Sequence, residues 1–213
     1  MASPPPRLIL ASASPRRHEL LAALGLTFEV RPAGVDERTE ERDPVRLAEG
    51  LALRKARALV ERSKEYATTA ILGADTIVVL EGRPLGKPAG PEEAREMLEA
   101  LRGRTHEVVT GLAVIAGERV AADHARTTVT MRDYGREEVE RYIATGSPFD
   151  KAGAYAIQDG EFAPVERYEG CECSVIGLPL WTARRLLRVT AGLTGDEPAY
   201  DRCRECPLRE VQP

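Results

Sequence analysis

Apolar residues along the chain fall into two kinds of segment that differ in their spacing. Segments with apolar positions three or four residues apart, many of them opened by Pro or followed by Gly, predict helices over residues 15–24, 44–65, 91–101, 137–144 and 179–189. Short apolar or β-branched runs predict strands over residues 7–10, 27–31, 70–72, 76–80, 106–115 and 119–131, with further extended segments at 152–158 and 172–176. Strands and helices mix without strict alternation, so we expect an α/β fold with a mixed sheet.

Length and composition narrow the class of protein. The chain has 213 residues, which fits one domain over residues 7–190 followed by a C-terminal tail over residues 191–213. A net charge of −4 and an aromatic content of 5% are unlike those of a protein that binds long nucleic acid. No run approaches the roughly 18 apolar residues of a membrane span, and the N-terminus lacks the features of a secretory signal. We therefore expect a cytoplasmic protein without a membrane segment.

The start of the first predicted helix is the first candidate site. Ser14 is the expected N-cap, and Arg16 and Arg17 follow in the first turn. Positive charge there opposes the helix dipole by roughly 0.3–1 kcal/mol for each residue. A bound anion reverses this argument, because free backbone N–H groups, the hydroxyls of Ser12 and Ser14 and two guanidinium groups together form a phosphate cradle. Two solvated surface arginines are the alternative.

The second predicted helix carries a lysine on its apolar face. Lys55 lies four residues after Leu51 and four before Leu59, and both leucines belong to that face. A lysine in this position must extend to solvent, pair with an acid or reach into a ligand cleft.

Two acidic residues and a second lysine complete the set of candidates. Asp75 follows two small residues between predicted strands, Glu37 lies in a polar loop, and Lys87 lies in a Gly-Lys-Pro turn. Each is also typical of an ordinary turn or a solvated loop. Taken with the cations above, however, Asp75 and Glu37 could hold Mg²⁺ or activate water beside a neutralised polyphosphate. The combination indicates metal-assisted attack on a phosphoanhydride.

Several sequence blocks follow one another in a characteristic order. They read LASASPRRHELL, VDE, RKARALV, GADTIVV, GKP, THEVVTGLAV, SPFDKAGAYAIQ and GLPL, and they cover about residues 7–190. This order resembles the Maf family of nucleoside triphosphate pyrophosphatases. The block that ends at Gln158 is similar to the branch acting on dTTP and UTP rather than the branch acting on 7-methyl-GTP. The Gln158 amide can both donate and accept, which suits O4 and N3–H of thymine or uracil.

The resemblance implies an activity, a fold and a set of roles. It implies cleavage between the α and β phosphates, giving a nucleoside monophosphate and pyrophosphate, in a cytoplasmic and often dimeric enzyme that needs Mg²⁺ or a similar ion such as Mn²⁺ or Co²⁺. The implied fold is an elongated mixed sheet with flanking helices, of the Maf and inosine triphosphatase type, in two lobes around a substrate cleft. The implied roles are proton acceptor for Asp75, metal binding for Glu37 together with Asp75, specificity contacts for Arg16, Thr76 and Gln158, and phosphate contacts for Ser12, Arg17, Lys55 and Lys87.

A nucleotide-binding regulator of cell division, without appreciable turnover, is the alternative from another class of protein. The carboxylates of Asp75 and Glu37 favour the enzyme, because binding alone does not require a water-activating carboxylate that faces a polyphosphate. The products formed from nucleoside triphosphates would separate the two hypotheses.

The cysteines form two closely spaced pairs, in a C-x-C and a C-x-x-C pattern. Cys171 and Cys173 lie within the domain, whereas Cys203 and Cys206 lie in the tail, which the family does not require. Together they could complete a tetrahedral zinc site that ties the tail to the domain. Free thiols, or two disulfides that link tail and domain, are the alternatives. We assign none of the four to catalysis, because phosphoryl chemistry uses hard oxygen ligands.

Overall fold

The structure is a computed structural model that describes residues 7–62 and 69–209. The strands within these ranges are β1 (Leu8–Leu10), β2 (Glu29–Val30), β3 (Ala70–Leu80), β4 (Arg83–Leu85), β5 (Thr105–Ala116), β6 (Arg119–Met131) and β7 (Val165–Glu169). The α-helices are α1 (Pro15–Ala22), α2 (Pro44–Arg62), α3 (Pro91–Leu101), α4 (Arg136–Ala144), α5 (Glu172–Ile176) and α6 (Leu180–Ala191). Across the described ranges, no helix combines the length and the apolar character needed to cross a membrane.

The strands form one mixed sheet in the order β2-β1-β3-β5-β6-β7, and β4 pairs with the C-terminal end of β3. Strand β1 runs parallel to both β2 and β3. Strands β3, β5, β6 and β7 are successive antiparallel neighbours. This architecture confirms the α/β class with a mixed sheet and flanking helices.

Two lobes share the sheet, because β3 and β5 are long enough to serve both. In the first lobe, Leu72 from the N-terminal half of β3 belongs to a core with residues of α1 and α6. In the second lobe, Val78 from the C-terminal half of β3 belongs to a core with residues of α3 and α4. The middle of β3, at Asp75 and Thr76, therefore lies at the junction of the lobes.

Two glycines allow helix α2 to lie directly on the sheet. A Cβ atom at Gly73 of β3 would lie 2.1 Å from the carbonyl oxygen of Ala52, and one at Gly111 of β5 would lie 2.3 Å from the carbonyl carbon of Ala48. Side-chain carbons do not approach backbone atoms so closely, so this packing requires glycine at both positions. The close approach brings the following turn of α2, with Lys55, over the middle of β3.

Most of the predicted elements are confirmed, with boundaries that shift by a few residues. The segments predicted at residues 70–72 and 76–80 form one continuous strand, because residues 70–79 pair with β5 without interruption. The strand predicted at 27–31 is reduced to the two residues of β2. The last residues of the helix predicted over 44–65 lie outside the described residues.

Both extended segments predicted in the C-terminal part are wrong. Within residues 152–158, Gly153 and Ala154 have φ angles of +67° and +62°, which interrupt any extended conformation. Residues 172–176 form helix α5 despite their β-branched content, because the Ser174 hydroxyl donates to the Cys171 carbonyl at 2.7 Å and Gly177 ends the helix. The pattern also misses β7, an edge strand whose side chains are mostly polar and exposed.

The chain beyond α6 packs against the first lobe. Leu193, Cys203 and Cys206 are buried in the core that contains residues of α1 and α6. The backbone N–H of Asp196 donates to the carbonyl of Leu24 at 2.9 Å. Residues 193–209 therefore extend the core of the first lobe.

Candidate active site

A cleft of ≈ 980 Å³ opens at the junction of the two lobes. This volume lies at the upper end of the range for small-molecule sites and is large enough for a nucleotide. Its walls come from the start of α1, the loop before α2, the middle of β3 and the segments after β4 and α4. All the polar residues assigned to the site from the sequence line it, namely Ser12, Ser14, Arg16, Arg17, Glu37, Lys55, Asp75, Thr76, Lys87 and Gln158.

Lys55 joins the two predicted carboxylates. Its Nζ donates to Oδ1 of Asp75 and lies 2.7 Å from Oε1 of Glu37. The side chains of Lys55 and Asp75 are only 12% and 9% exposed, whereas that of Glu37 is 50% exposed. One buried ammonium group therefore holds a buried carboxylate and a carboxylate that faces the cleft, and we call these three residues the ionic triad.

The backbone explains why the ionic triad forms. Lys55 lies on the sheet-facing side of α2, as its spacing predicts, with Ala52 and Leu59 buried on either side. The loop that carries Glu37 is tied to the same helix, because the Arg54 guanidinium donates to the carbonyl of Asp36 at 2.7 Å. Helix α2 thus positions both the lysine and its exposed acid partner.

Positive charge affects the ionisation of Glu37. Partial burial alone would raise the pKa of its carboxyl group. The hydrogen bond and charge of Lys55 outweigh that effect, with help from Lys87 and Arg17, and lower the pKa below its ordinary value of 4.5. Glu37 is therefore held as a carboxylate.

Arg17 lies on the other side of β3. Its Nε donates to the carbonyl oxygen of Gly177 at 2.8 Å, and its Nη2 donates to Oγ1 of Thr76 at 3.0 Å. Burial lowers the pKa of Arg17 from its ordinary value of 12.5, while the charges of Asp75 and Glu37 act in the opposite direction. The guanidinium group is thus fixed at the cleft wall by a backbone oxygen and a hydroxyl.

A chain of buried hydroxyl groups continues from Thr76 into the first lobe. Thr110 donates to the carbonyl of Ser174 at 2.6 Å, and its oxygen lies 2.9 Å from that of Thr76. Because the single Thr110 proton points to the carbonyl, Thr76 donates to Thr110. Beyond it, the hydroxyls of Ser174 and Thr127 are 2.7 Å apart, and Thr127 accepts the N–H of Cys171 at 2.9 Å. We call this set, from Thr76 to Cys171, the hydroxyl chain.

The start of α1 has the predicted form with one difference. Ser14 is the N-cap residue by position, but its side chain makes no capping hydrogen bond. Instead, Oγ of Ser12 accepts the backbone N–H of Ser14 at 3.1 Å. Arg16 pairs with Asp150 across the cleft, with 3.4 Å between Nη1 and Oδ2.

The remaining predicted residues, Lys87 and Gln158, are exposed residues of the cleft wall.

The sequence patterns did not identify a further cation and acid that also belong to the cleft. Lys151 lines the cleft, is 11% exposed, and lies 2.6 Å from Oδ1 of Asp150. Burial acts to raise the pKa of Asp150, but the Lys151 hydrogen bond and the Arg16 charge bring it below the ordinary value. The sequence signal that could have identified this pair is the adjacent aspartate and lysine in the block that ends at Gln158.

The donor set at the ionic triad fits a hard divalent cation. Glu37 and Asp75 supply carboxylate oxygens, which Mg²⁺ prefers, and both already converge on one positive group. A second group of potential ligands, formed by Glu49, Asp123 and His124, lies away from the cleft wall. In that group His124 pairs with Glu49, so its members already have protein partners.

Comparison with known proteins places these features in a class. The fold and site define an α/β protein with one large charged cleft at the junction of two lobes. The sequence matches the family described as "Maf-like protein" over residues 7–190. The chain belongs to the Maf-like protein family, which confirms the resemblance drawn from the motifs.

Curated relatives cover nearly the whole chain. A protein from Thermomicrobium roseum named dTTP/UTP pyrophosphatase is 49% identical over 211 residues, covering 96% of this chain and 95% of that protein. A protein of the same name from Moorella thermoacetica is 48% identical over 186 residues, covering 86% and 94%. Another from Symbiobacterium thermophilum is 46% identical over 182 residues, covering 85% and 92%.

Proposed function

We propose that this protein hydrolyses dTTP and UTP, and related modified pyrimidine nucleotides, to the nucleoside monophosphate and pyrophosphate. The observation that carries the proposal is the ionic triad, a carboxylate pair on one buried lysine inside a cation-lined cleft. The printed names of relatives at 46–49% identity support the same activity. Housecleaning of the cellular nucleotide pool is the role that this activity would serve.

The cations of the cleft would hold the triphosphate. Arg16 and Arg17 at the start of α1 would contact phosphate oxygens, together with backbone N–H groups and the hydroxyls of Ser12 and Ser14. Lys87 would contact the leaving pyrophosphate from the opposite wall. These cations would stabilise the charge that grows on the leaving group in the transition state.

Asp75 would act as the proton acceptor. The water oxygen would attack the α-phosphorus, its proton would pass to Asp75, and the bond from that phosphorus to the α–β bridging oxygen would break. Lys55 engages Oδ1 of Asp75, so the water would be held through Oδ2. Burial of this carboxylate keeps its position fixed relative to the cleft.

Glu37 and Asp75 would hold a divalent cation such as Mg²⁺, Mn²⁺ or Co²⁺, which lowers the pKa of bound water and neutralises phosphate charge. Lys55 would keep both carboxylates at one place in the cleft. The exposed position of Glu37 would let its carboxylate turn towards an incoming metal–nucleotide complex.

Gln158, Thr76 and Arg16 would determine the preference for the base and sugar. Gln158 is exposed on the cleft wall, where its amide could pair with O4 and N3–H of a pyrimidine. Replacement of Gln158 by Ala should change the ratio of dTTP to purine nucleotide turnover more than it changes triphosphate binding. An unchanged substrate profile would remove Gln158 from the specificity set.

Product analysis tests the proposed reaction. The protein with Mg²⁺ is incubated with dTTP, UTP, CTP, GTP and 7-methyl-GTP, and we expect monophosphate and pyrophosphate from dTTP and UTP. Asp75→Asn should lower turnover by about 10²- to 10⁴-fold, the contribution of a positioned general base, with triphosphate binding retained. Asp133→Asn, an exposed aspartate outside the cleft, is the matched control and should leave turnover unchanged. Binding of triphosphates without turnover by the wild type would favour the regulatory alternative.

The working form that we propose is a cytoplasmic homodimer, as the family resemblance implies. Light scattering at micromolar concentration tests the dimer. Cell fractionation tests the location.

A further inference from the structure

The four cysteines come together where the tail meets helix α5. Cys171 and Cys173 are at the start of α5, Cys203 and Cys206 are in the tail, and all four side chains are buried and free of disulfides. The sulfur atoms of Cys173 and Cys203 are 3.2 Å apart. The Cys171 thiol interacts with those of both Cys173 and Cys206. These interactions join the four sulfurs in one row, in which no three sulfurs lie within 4.8 Å of one another, and we call this row the cysteine cluster.

We propose that the cysteine cluster binds one zinc ion through four thiolates and so fastens the tail to the domain. Zinc prefers four sulfur ligands in a tetrahedron, with Zn–S distances of about 2.3 Å. A C-x-C and a C-x-x-C pair, brought side by side from distant parts of the chain, supply that ligand set. One ion would close the row of contacts into a tetrahedron, with each thiol losing its proton.

Backbone donors support thiolates at this place. The backbone N–H groups of Cys173 and Ser174 lie near the Cys171 sulfur, and that of Leu208 lies near the Cys206 sulfur. N–H donors stabilise a charged sulfur and orient it as a metal ligand. Each pair of cysteines therefore includes a sulfur with backbone N–H groups of its own segment beside it.

The pattern of contacts favours one shared centre over two separate bonds. In two disulfides, each sulfur has one close partner, whereas Cys171 and Cys173 here each contact two other thiols. The same sharing is expected of ligands around a single ion. Four unligated thiols would leave only weak S–H hydrogen bonds at the centre of the contact between tail and domain.

The zinc site would also reach the active site through helix α5. The Cys171 N–H ends the hydroxyl chain by donating to Thr127, and the other end of α5 presents the Gly177 carbonyl to Arg17. The ion would thus fix the start of a short helix whose other end holds a cleft arginine. This consequence for catalysis rests on the proposed function, but zinc binding itself does not.

Metal analysis of the wild-type protein tests the site directly. The protein is purified without added metal or chelator, and zinc and iron are measured by mass spectrometry beside the thiol content of the denatured protein. We expect about one zinc per chain and four titratable thiols after the metal is released. Four thiols without metal would overturn the proposal in favour of free thiols, and thiols that titrate only after reduction would overturn it in favour of disulfides. Iron instead of zinc would overturn the metal assignment.

Paired variants separate ligation from folding. Cys206→Ser should lower the zinc content at least about tenfold, whereas Cys206→His should keep it, because zinc also accepts three sulfurs and one nitrogen. His124→Ala removes a ligand from the group with Glu49 and Asp123 and should leave the zinc content unchanged. Zinc lost in His124→Ala and kept in Cys206→Ser would place the ion outside the cysteine cluster.

Cobalt substitution gives a readout that is independent of activity. Co²⁺ exchanged into the wild type should show the sulfur-to-metal charge-transfer bands and the intense visible bands of tetrahedral thiolate coordination. Absence of those bands in a protein that has taken up one cobalt would overturn four-thiolate binding. If the proposed function failed while these bands appeared, the zinc site would stand.

Discussion

The two faces of strand β3 carry different kinds of polar contact at adjacent residues. On the α2 face, Asp75 belongs to the ionic triad with Lys55 and Glu37. On the opposite face, Thr76 begins the hydroxyl chain through Thr110. Successive side chains of a strand point to opposite faces, so one step along the backbone separates the charged network from the neutral one.

The difference indicates that the two faces of β3 have different roles. The ionic triad has one half-exposed member, Glu37, so its carboxylate can exchange partners when a ligand enters. The hydrogen bonds of the hydroxyl chain, in contrast, run in one direction. Arg17 donates to Thr76, Thr76 donates to Thr110, and Thr110 donates to the carbonyl of Ser174. The charged face is therefore suited to chemistry, and the neutral face to holding Arg17 in position.

Removal of the lysine should have the largest effect. Lys55→Met leaves the buried Asp75 carboxylate without its cation, and a broken buried ion pair costs about 3–5 kcal/mol of unfolding free energy. Turnover should fall by about 10²-fold or more, because the carboxylates lose their common partner. Chemical denaturation and steady-state kinetics measure the two effects. In Lys55→Met/Asp75→Asn the stability loss should be partly recovered; strictly additive losses would mean that the two groups do not interact.

A methyl group under helix α2 should have the next largest effect. Gly111→Ala forces the backbone of α2 away from the sheet and moves the ionic triad with it, at a cost of about 1–3 kcal/mol and a loss of turnover. Gly50→Ala on the same helix is the matched control, because its Cβ meets nothing within 4 Å. The free energy of unfolding of that variant should rise by about 0.5–1 kcal/mol, because Ala has a higher helix propensity than Gly. Thermal unfolding and activity measure both; equal behaviour of the two variants would contradict the close packing.

A break in the hydroxyl chain should have a moderate effect of a different kind. Thr110→Val removes the link between Thr76 and the Ser174 carbonyl, and loss of buried hydrogen bonds costs about 1–3 kcal/mol. Because Arg17 is loosened while Asp75 stays in place, KM should rise more than kcat falls. Thr105→Val, which breaks an exposed threonine pair on the same strand, is the control and should change neither constant. A fall in kcat alone would contradict the positioning role.

The smallest expected effect is a loss of stability at acid pH, when Glu37 becomes protonated. Glu37 has a pKa below its ordinary value of 4.5, so its ionised form stabilises the folded protein above that pH, and this contribution is lost as the pH falls through the lowered pKa. Exposure limits the contribution to less than about 1 kcal/mol. Melting temperatures of the wild type and Glu37→Gln should therefore differ near neutral pH and converge in acid. A constant difference at every pH would contradict the ion pair.

Local patterns predict much of the site, because its residues lie at positions with clear local signals. The spacing of Leu51 and Leu59 places Lys55 on the buried face of α2, and the Pro after Ser14 marks the start of α1. All the predicted polar residues do line one cleft. Their convergence could not be read from spacing, since it depends on the glycines that let α2 approach the sheet.

The errors fall where distant contacts override local preference. Helix α5 has residues typical of a strand, and its hydrogen bonds to Thr127 and its position beside the tail determine its form. Strand β3 continues through Gly73 because β5 pairs with it there without interruption. Lys151 was missed because a lysine next to an aspartate is also typical of a solvated loop, and nothing in its local sequence indicates that its side chain is largely buried.

The ladder between β3 and β5 has a consequence for the motion of the two lobes. It pairs residues 70–79 with β5 in continuous register, past the level of the cleft and from one lobe into the other. Because the two lobes share this ladder, a hinge motion that separated them would break a row of backbone hydrogen bonds. The loop that carries Glu37 is held differently, because Arg54 and Arg62 of α2 donate to its carbonyl oxygens through their long side chains. The shared strands thus fix the two lobes relative to each other at the cleft, whereas side chains hold the loop at the cleft edge.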